Sequence, residues 1–267
     1  MSGLIEQQFA ARGRYQGMVQ ILQYNRRFYG SAVAAVALAL FIVPRVPPTW
    51  RILLLSAATP TLFWLCSSLL VSHYIYDRFP LYDLSWLARS LSKAPGRWVN
   101  IHAGLDETSN LLTALFPSAE GKVLDIFDSR EMTEPSIDQA RRTAPTSVQA
   151  ISADWRALPL PDNELDAVFL VFVAHELRRH EARVQLFREL ARVLRDGGEV
   201  ALVEHSRDWA NFLAFGPGFL HFFSKRAWMR AADAARLQVR TDFSLTPFVH
   251  VFILRRILWH CNCTCRL

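Results

Sequence analysis

The residues best equipped for chemistry form two acid–base pairs, His175-Glu176 and Glu204-His205, each closing an apolar run. An imidazole beside a carboxylate is ordinary equipment for moving a proton near neutral pH, so His175, Glu176 and His205 are the candidate catalytic residues. A second group is acidic and lies upstream. Asp125 and Asp128 fall in the run 122–128, and Asp154, followed by Trp155, precedes the turn at Leu158-Pro159. For either of the first two acids the structural alternative is a helix N-cap; for Trp155 it is core packing. A third group, Asn100, His102 and Asp106, surrounds Gly104 where another apolar run turns. Two His/Glu pairs on one rim also raise a metal site, but no third clear ligand accompanies them and no metal is expected.

These residues need elements to hold them. The run 167–174 has the length and the β-branched and aromatic content of a buried parallel strand. Val184, Leu186, Phe187, Leu190, Ala191, Val193 and Leu194 recur at helical spacing, Gly197-Gly198 stops that helix, and 200–203 starts another buried strand. Strand, helix, strand makes a βαβ unit, and open sheets of this kind bind ligands at the carboxyl ends of their strands. Both His/Glu pairs sit there. A strand, a turn and a helix start are predicted in that order over 98–108 and further strands at 122–128 and 148–152, with a closing hairpin at 239–244 and 248–254. Helices are predicted at 84–92, 111–119 and 224–237.

The pattern AD, LP.PDN..DAV, HEL, F.EL.RVL..GG and LVEH over 151–205 resembles the second half of class I S-adenosylmethionine-dependent methyltransferases, in particular the type 11 and ubiquinone/menaquinone methyltransferase-like group. The resemblance implies a Rossmann-like, seven-stranded, mostly parallel α/β sheet with helices on both faces over 98–256, and S-adenosyl-L-methionine as cofactor. It places Asn100, His102, Gly104 and Asp106 at the glycine-rich cofactor loop. There Asn100 stands for the usual acid, His102 for the first glycine and Asp106 for the last, and His102 or Asp106 would meet the methionine amino or carboxylate group. Asp128, at the expected strand end, is preferred to Asp125 for the ribose hydroxyls. Asp154 would accept from the adenine amino group and Trp155 would stack on adenine. His175 is the first candidate for general base. The aromatic stretch 208–223 stands where the family inserts its substrate-recognition segment; it reads either as a lipophilic acceptor site or as a helix folded back onto the N-terminal region.

That region divides into an amphipathic segment at 1–27, a hairpin at 28–76 and a connector at 77–97. The stretches 28–43 and 52–72 carry no charge and are joined by a Pro-rich turn; about 20 such residues span a bilayer core. Trp50, Tyr74 and Tyr76 lie where an aromatic belt belongs. Arg12, Arg14, Arg26 and Arg27 precede the hairpin and Arg78, Arg89, Lys93 and Arg97 follow it, against Arg45 and Arg51 in the turn, so both termini and the catalytic domain are expected on the cytoplasmic side of an inner membrane. A net charge of +6 suits an anionic membrane surface. No basic block with interleaved aromatics is present, which argues against nucleic acid. Four cysteines, three of them (Cys261, Cys263 and Cys265) in the tail 257–267, suit a reducing compartment. The function expected is methyl transfer to a lipophilic small molecule: a phenol or quinone, a polyene or fatty carboxylate, or a lipid head group. The alternatives are a non-catalytic membrane scaffold that retains the fold, and a soluble enzyme whose hairpin is buried in a homodimer.

Overall fold

Runs of Val, Ile, Leu, Ala and Phe too short for helices become the strands of one sheet. The computed structural model describes residues 13–143 and 150–256. Leu4, Ile5, Phe9 and Arg12 of the amphipathic segment, Val148 of the third expected strand and the tail cysteines lie outside the described residues. The strands are β1 (Arg97–His102), β2 (Glu120–Asp125), β3 (Ala150–Ser152), β4 (Leu165–Val171), β5 (Leu194–His205), β6 (Leu237–Thr246) and β7 (Val249–Arg256), ordered β3-β2-β1-β4-β5-β7-β6. The first five are parallel; β7 enters antiparallel between β5 and β6. This is the seven-stranded, mostly parallel, Rossmann-like sheet expected. Its strand order reverses between β1 and β4, the switch point at which such sheets take ligands.

Each face carries its own core. Helices α4 (Ser85–Ser90) and α5 (Ser109–Leu115) bury Leu87 and Leu112 against Trp98 and Phe169 on one face. Helices α6 (Pro135–Thr143), α7 (His180–Val193) and α9 (Lys225–Ala234) bury Ile137, Phe187 and Trp228 against Val168 and Leu170 on the other. Gly121 in β2 lies against the Trp98 ring, and a Cβ there would overlap three of its ring atoms. Trp98 is 2% exposed and packs on Phe169, so the ring has little room to yield. Gly121→Ala is expected to cost about 1–3 kcal/mol, seen as a lowered thermal midpoint in detergent solution; an unchanged midpoint would show that the ring yields freely.

Several boundaries differ from the sequence expectation; the helices expected at 111–119 and 224–237 end at Leu115 and Ala234, and three other differences bear on the site. β2 ends at Asp125 because the Asp125 carboxylate accepts the Phe127 amide at 3.0 Å and turns the chain, so Asp128 lies beyond the strand. β4 ends at Val171, and His175 sits in a 3-10 turn, Ala174–Glu176, just past it. α7 ends at Val193, and Gly197-Gly198 lie in an irregularity of β5 between the pairings of Leu194 and Glu199.

The N-terminal region forms α1 (Gln16–Tyr24), α2 (Arg26–Ile42) and α3 (Pro48–His73), the last followed by a π turn, Tyr74–Arg78. Two segments, Arg26–Arg45 and Pro48–Asp83, are long and apolar enough to cross a membrane. Val33, Leu38, Phe41, Ile52, Leu53 and Leu70 are more than half exposed, unlike the side chains of a soluble core helix. α1 turns back to the domain, where the Gly17 and Met18 amides donate to the Asp77 carboxylate at 2.6 and 3.1 Å. The lower half of α3 seats α8 (Trp209–Phe215). Trp64 meets Phe212 at 5.4 Å, and Ser67 Oγ donates to the Leu213 carbonyl at 3.2 Å. The aromatic stretch therefore folds onto the hairpin.

Candidate active site

Parallel pairing of β4 with β5 brings the two His/Glu pairs together. Glu204 is 1% exposed; its carboxylate accepts the His175 amide at 3.2 Å and the His175 Nδ1 proton at 2.7 Å. The other ring nitrogen faces Glu176 Oε1 at 3.4 Å. Burial alone would lower the His175 pKa, but the Glu204 and Glu176 carboxylates outweigh it and raise it to about 10. His175 is therefore an imidazolium at neutral pH with both nitrogens turned to carboxylates, which removes the near-neutral base expected of it. For Glu176, burial pushes up, and the bond and charge of His175 prevail to hold the carboxyl below its ordinary range. Its Oε2 is buried without a hydrogen-bond partner.

His205, at the end of β5, is sandwiched between Phe172 at 4.9 Å and Phe222 at 4.7 Å. Its Nδ1 lies 2.9 Å from the Phe248 carbonyl, which only accepts, so Nδ1 carries the proton and Nε2 accepts from the Tyr76 hydroxyl at 2.8 Å. Burial, with the nearby His175 cation, lowers its pKa to about 4, so it is neutral. A third imidazole, His221, comes from the 3-10 turn Gly216–His221 and lies edge-on to His175 at 5.0 Å. Burial and the charges of His175 and Arg178 lower it to about 3. Sequence reasoning missed His221, whose only signal is its place in the aromatic stretch, and Tyr76, which was read as an interfacial residue.

On the cofactor side, Asn100 and Asp106 are committed to the loop itself. Asn100 Nδ2 donates to Asp106, Thr108 and Ser109, and the Asp106 carboxylate accepts the Thr108 and Ser109 amides at the start of α5. His102 Nδ1 accepts the Gly104 amide at 3.2 Å, burial pushes its imidazole below the ordinary value, and its Nε2 is buried without a partner. Gly104 has φ +146°, which favours glycine. A Cβ there would lie 2.5 Å from Arg141 Cγ. Arg141 Nη1 donates to both Asp125 oxygens, at 3.1 and 2.8 Å, and its guanidinium covers Phe127 at 4.2 Å. Asp125, and not Asp128, thus ends β2 beside the glycine. Asp128 accepts the Arg130 amide, which lowers its pKa, and pairs with Arg156 at 3.0 Å. Asp154 is more than half exposed and holds the same arginine at 3.2 Å. Trp155 is 3% exposed and belongs to the core with Leu158 and Leu160. It presents no face to adenine, because its apolar area is already buried.

The rim residues open onto a cavity of about 990 Å³. Its walls come from both halves of the chain: Tyr29, Thr61, Trp64, Leu65 and Ser68 from the hairpin, and His102, His175, Glu176, His205 and His221 from the domain.

Residues 109–202 match a family described as a methyltransferase domain. Demethylmenaquinone methyltransferase of Thermus thermophilus is 32% identical over 46% of this chain and 54% of its own length. Malonyl-[acyl-carrier protein] O-methyltransferase of Methylococcus capsulatus is 31% identical over 42% of this chain and 38% of its own. The chain thus spans about half, or less, of the length of these curated relatives. Among solved structures, a Pyrococcus horikoshii protein superposes with a TM-score of 0.50 at 17% identity, over 68% of this chain and 98% of that one, which speaks to the fold. The sheet order, the switch point and the matched segment agree in making the α/β domain of this chain similar to class I S-adenosylmethionine-dependent methyltransferase domains.

Proposed function

We propose that the protein is a membrane-anchored enzyme that methylates a lipophilic small molecule at the cytoplasmic face. The cavity carries this reading: one wall is the apolar hairpin and the other is the polar rim of the sheet. Trp209, Leu213 and Leu220, between 56% and 77% exposed, continue the hairpin's apolar surface onto the domain, as a bilayer-facing element requires. The relatives' names, a quinone-type and a carboxyl acceptor, favour a phenol, quinone or carboxylate borne on a lipid.

S-Adenosylmethionine supplies an electrophilic methyl group when bound. Asp125 would accept hydrogen bonds from the ribose hydroxyls, and Gly104 would let the chain's backbone approach the cofactor. His102 Nε2 is free to meet the methionine end, and Asp154 marks the adenine end. Glu176 Oε2 accepts from an acceptor hydroxyl and aligns it for transfer. The seat of Arg141 over Gly104 favours a second reading, a scaffold whose cofactor cradle is filled by its own side chain.

Calorimetry on the full chain in micelles distinguishes the two. Binding of S-adenosylmethionine, weakened in Asp154→Ala, is expected; no heat at millimolar ligand would establish the scaffold. The anchor is read separately by flotation with anionic vesicles, where recovery in the aqueous fraction without detergent would remove the membrane from the proposal.

A further inference from the structure

Glu204, His175 and the space beyond it have the form of the outer half of a metal centre. Imidazole ligands generally give their second N–H to a buried carboxylate, which sets the ring's orientation and tautomer. Glu204 does this to His175 Nδ1 at 2.7 Å while fixing the His175 amide as well. The remaining nitrogen points to Glu176 and towards His221.

We propose that His175 Nε2, the Glu176 carboxylate and the His221 imidazole form a site for one divalent transition-metal ion at the inner end of the cavity. One ligand atom from each lies within 4.8 Å of the others. An ion with bonds of about 2.0–2.2 Å holds its ligand atoms roughly 3–4 Å apart, so the site closes by a movement of an ångström or so. His221 can supply that movement, since it ends a short 3-10 segment and the polar contact its ring makes with Glu134 is long, at 3.6 Å. A second observation is independent of the clustering. Glu176 is 8% exposed, and its Oε2 is buried with no hydrogen-bond partner. Such an oxygen is unfavourable when left unmet, and an ion meets it. Binding releases the proton that His175 Nε2 holds against Glu176.

Two nitrogens and one carboxylate suit Zn²⁺, Co²⁺ or Fe²⁺; Mg²⁺ and Ca²⁺ prefer all-oxygen sets. Three protein ligands leave coordination positions open to the cavity, the mark of a catalytic ion and not a structural one. Arg178 faces the cluster as an opposing charge, but its Nη1 is tied to the His175 and His221 carbonyls. An ion here would polarise an acceptor oxygen and help it shed its proton at neutral pH, which neither the charged His175 nor the weakly basic His221 does alone. That role rests on the methyl-transfer reading; the binding of the ion does not.

The test is a Co²⁺ titration of the chelator-stripped full chain in micelles, followed by absorption, with Zn²⁺ as competitor. One equivalent per chain is expected, with the weak visible bands of a nitrogen and oxygen ligand set, displaced by Zn²⁺. Glu204→Gln should lower affinity about 10–100-fold, and His221→Ala or Glu176→Gln by more; His221→Gln replaces the alanine variant if that one fails to fold. No stoichiometric uptake, an intense thiolate-to-cobalt band that assigns the metal to cysteine, or unchanged affinity in all the variants overturns the site. Calorimetry with S-adenosylmethionine on the same preparation keeps the two proposals apart. Cofactor bound without metal overturns only the ion; metal bound without cofactor overturns only methyl transfer.

Discussion

Asp125→Ala is expected to weaken S-adenosylmethionine binding by between about 10-fold and about 150-fold, whereas Asp128→Ala leaves it within about twofold. Hydrogen bonds to a charged group contribute about 1.5–3 kcal/mol, and Asp125 is the acid at the end of β2, beside Gly104. Asp128 spends its oxygens on the Arg130 amide and the Arg156 guanidinium. Calorimetric titration of the two variants side by side decides the matter. A large loss in Asp128→Ala with none in Asp125→Ala would reverse the assignment and restore the acid favoured by the sequence. Arg141→Ala makes a useful companion. If its guanidinium occupies the cofactor's place, removing it should tighten binding, not loosen it.

The second large effect concerns acid. The His205 imidazole stays neutral down to about pH 4 in the fold, against an ordinary value of 6.5, because it is buried and because the His175 cation opposes a second charge. The unfolded chain therefore takes up a proton between pH 6.5 and 4 that the folded chain refuses. Stability falls as pH falls through that window, reaching a loss of about 3 kcal/mol from this residue near pH 4. The groups against the ring are Tyr76, Phe172, Phe215 and Phe222, with the Phe248 carbonyl on Nδ1; none is an anion that would stabilise the charged ring. Carboxylates elsewhere also lose stability in acid, so the measurement is a difference. Wild type and His205→Gln are unfolded at pH 7 and at pH 4.5, and the variant should lose less on acidification. Equal losses would mean that water reaches the ring.

The large elements were legible because apolar periodicity decides them. The run 167–174 is read as a central strand, and β4 is buried along nearly its whole length; the spacing from Val184 to Leu194 is read as a helix, and α7 buries those side chains up to Val193. The charge-free stretches become two exposed apolar helices for the same reason. What was illegible depends on where a single side chain turns. Ile126 and Phe127 prolong an apolar run past the point where Asp125 takes the Phe127 amide and ends the ladder, so pattern alone places the strand end three residues late. Trp155 points into the core, and spacing does not report direction. The cofactor loop looks degraded as a glycine motif, yet Asn100 and Asp106 brace it with hydrogen bonds that a motif does not encode. His221 and Tyr76 reach the site across 46 and 99 residues of chain from His175, by way of the α8 turn and the α3 terminus, and only the fold shows that they arrive.

The hydrogen bond from Tyr76 to His205 joins the last turn of the hairpin to the rim of the sheet, and Trp64 closes against Gly216 where φ is +55°. The hairpin is thus part of the cavity wall. Another hairpin of the same length and hydropathy would still leave the cavity open on one side. Any graft, truncation or domain exchange that cuts between residues 76 and 97 separates a chamber from its wall, so the two parts are constrained to change together.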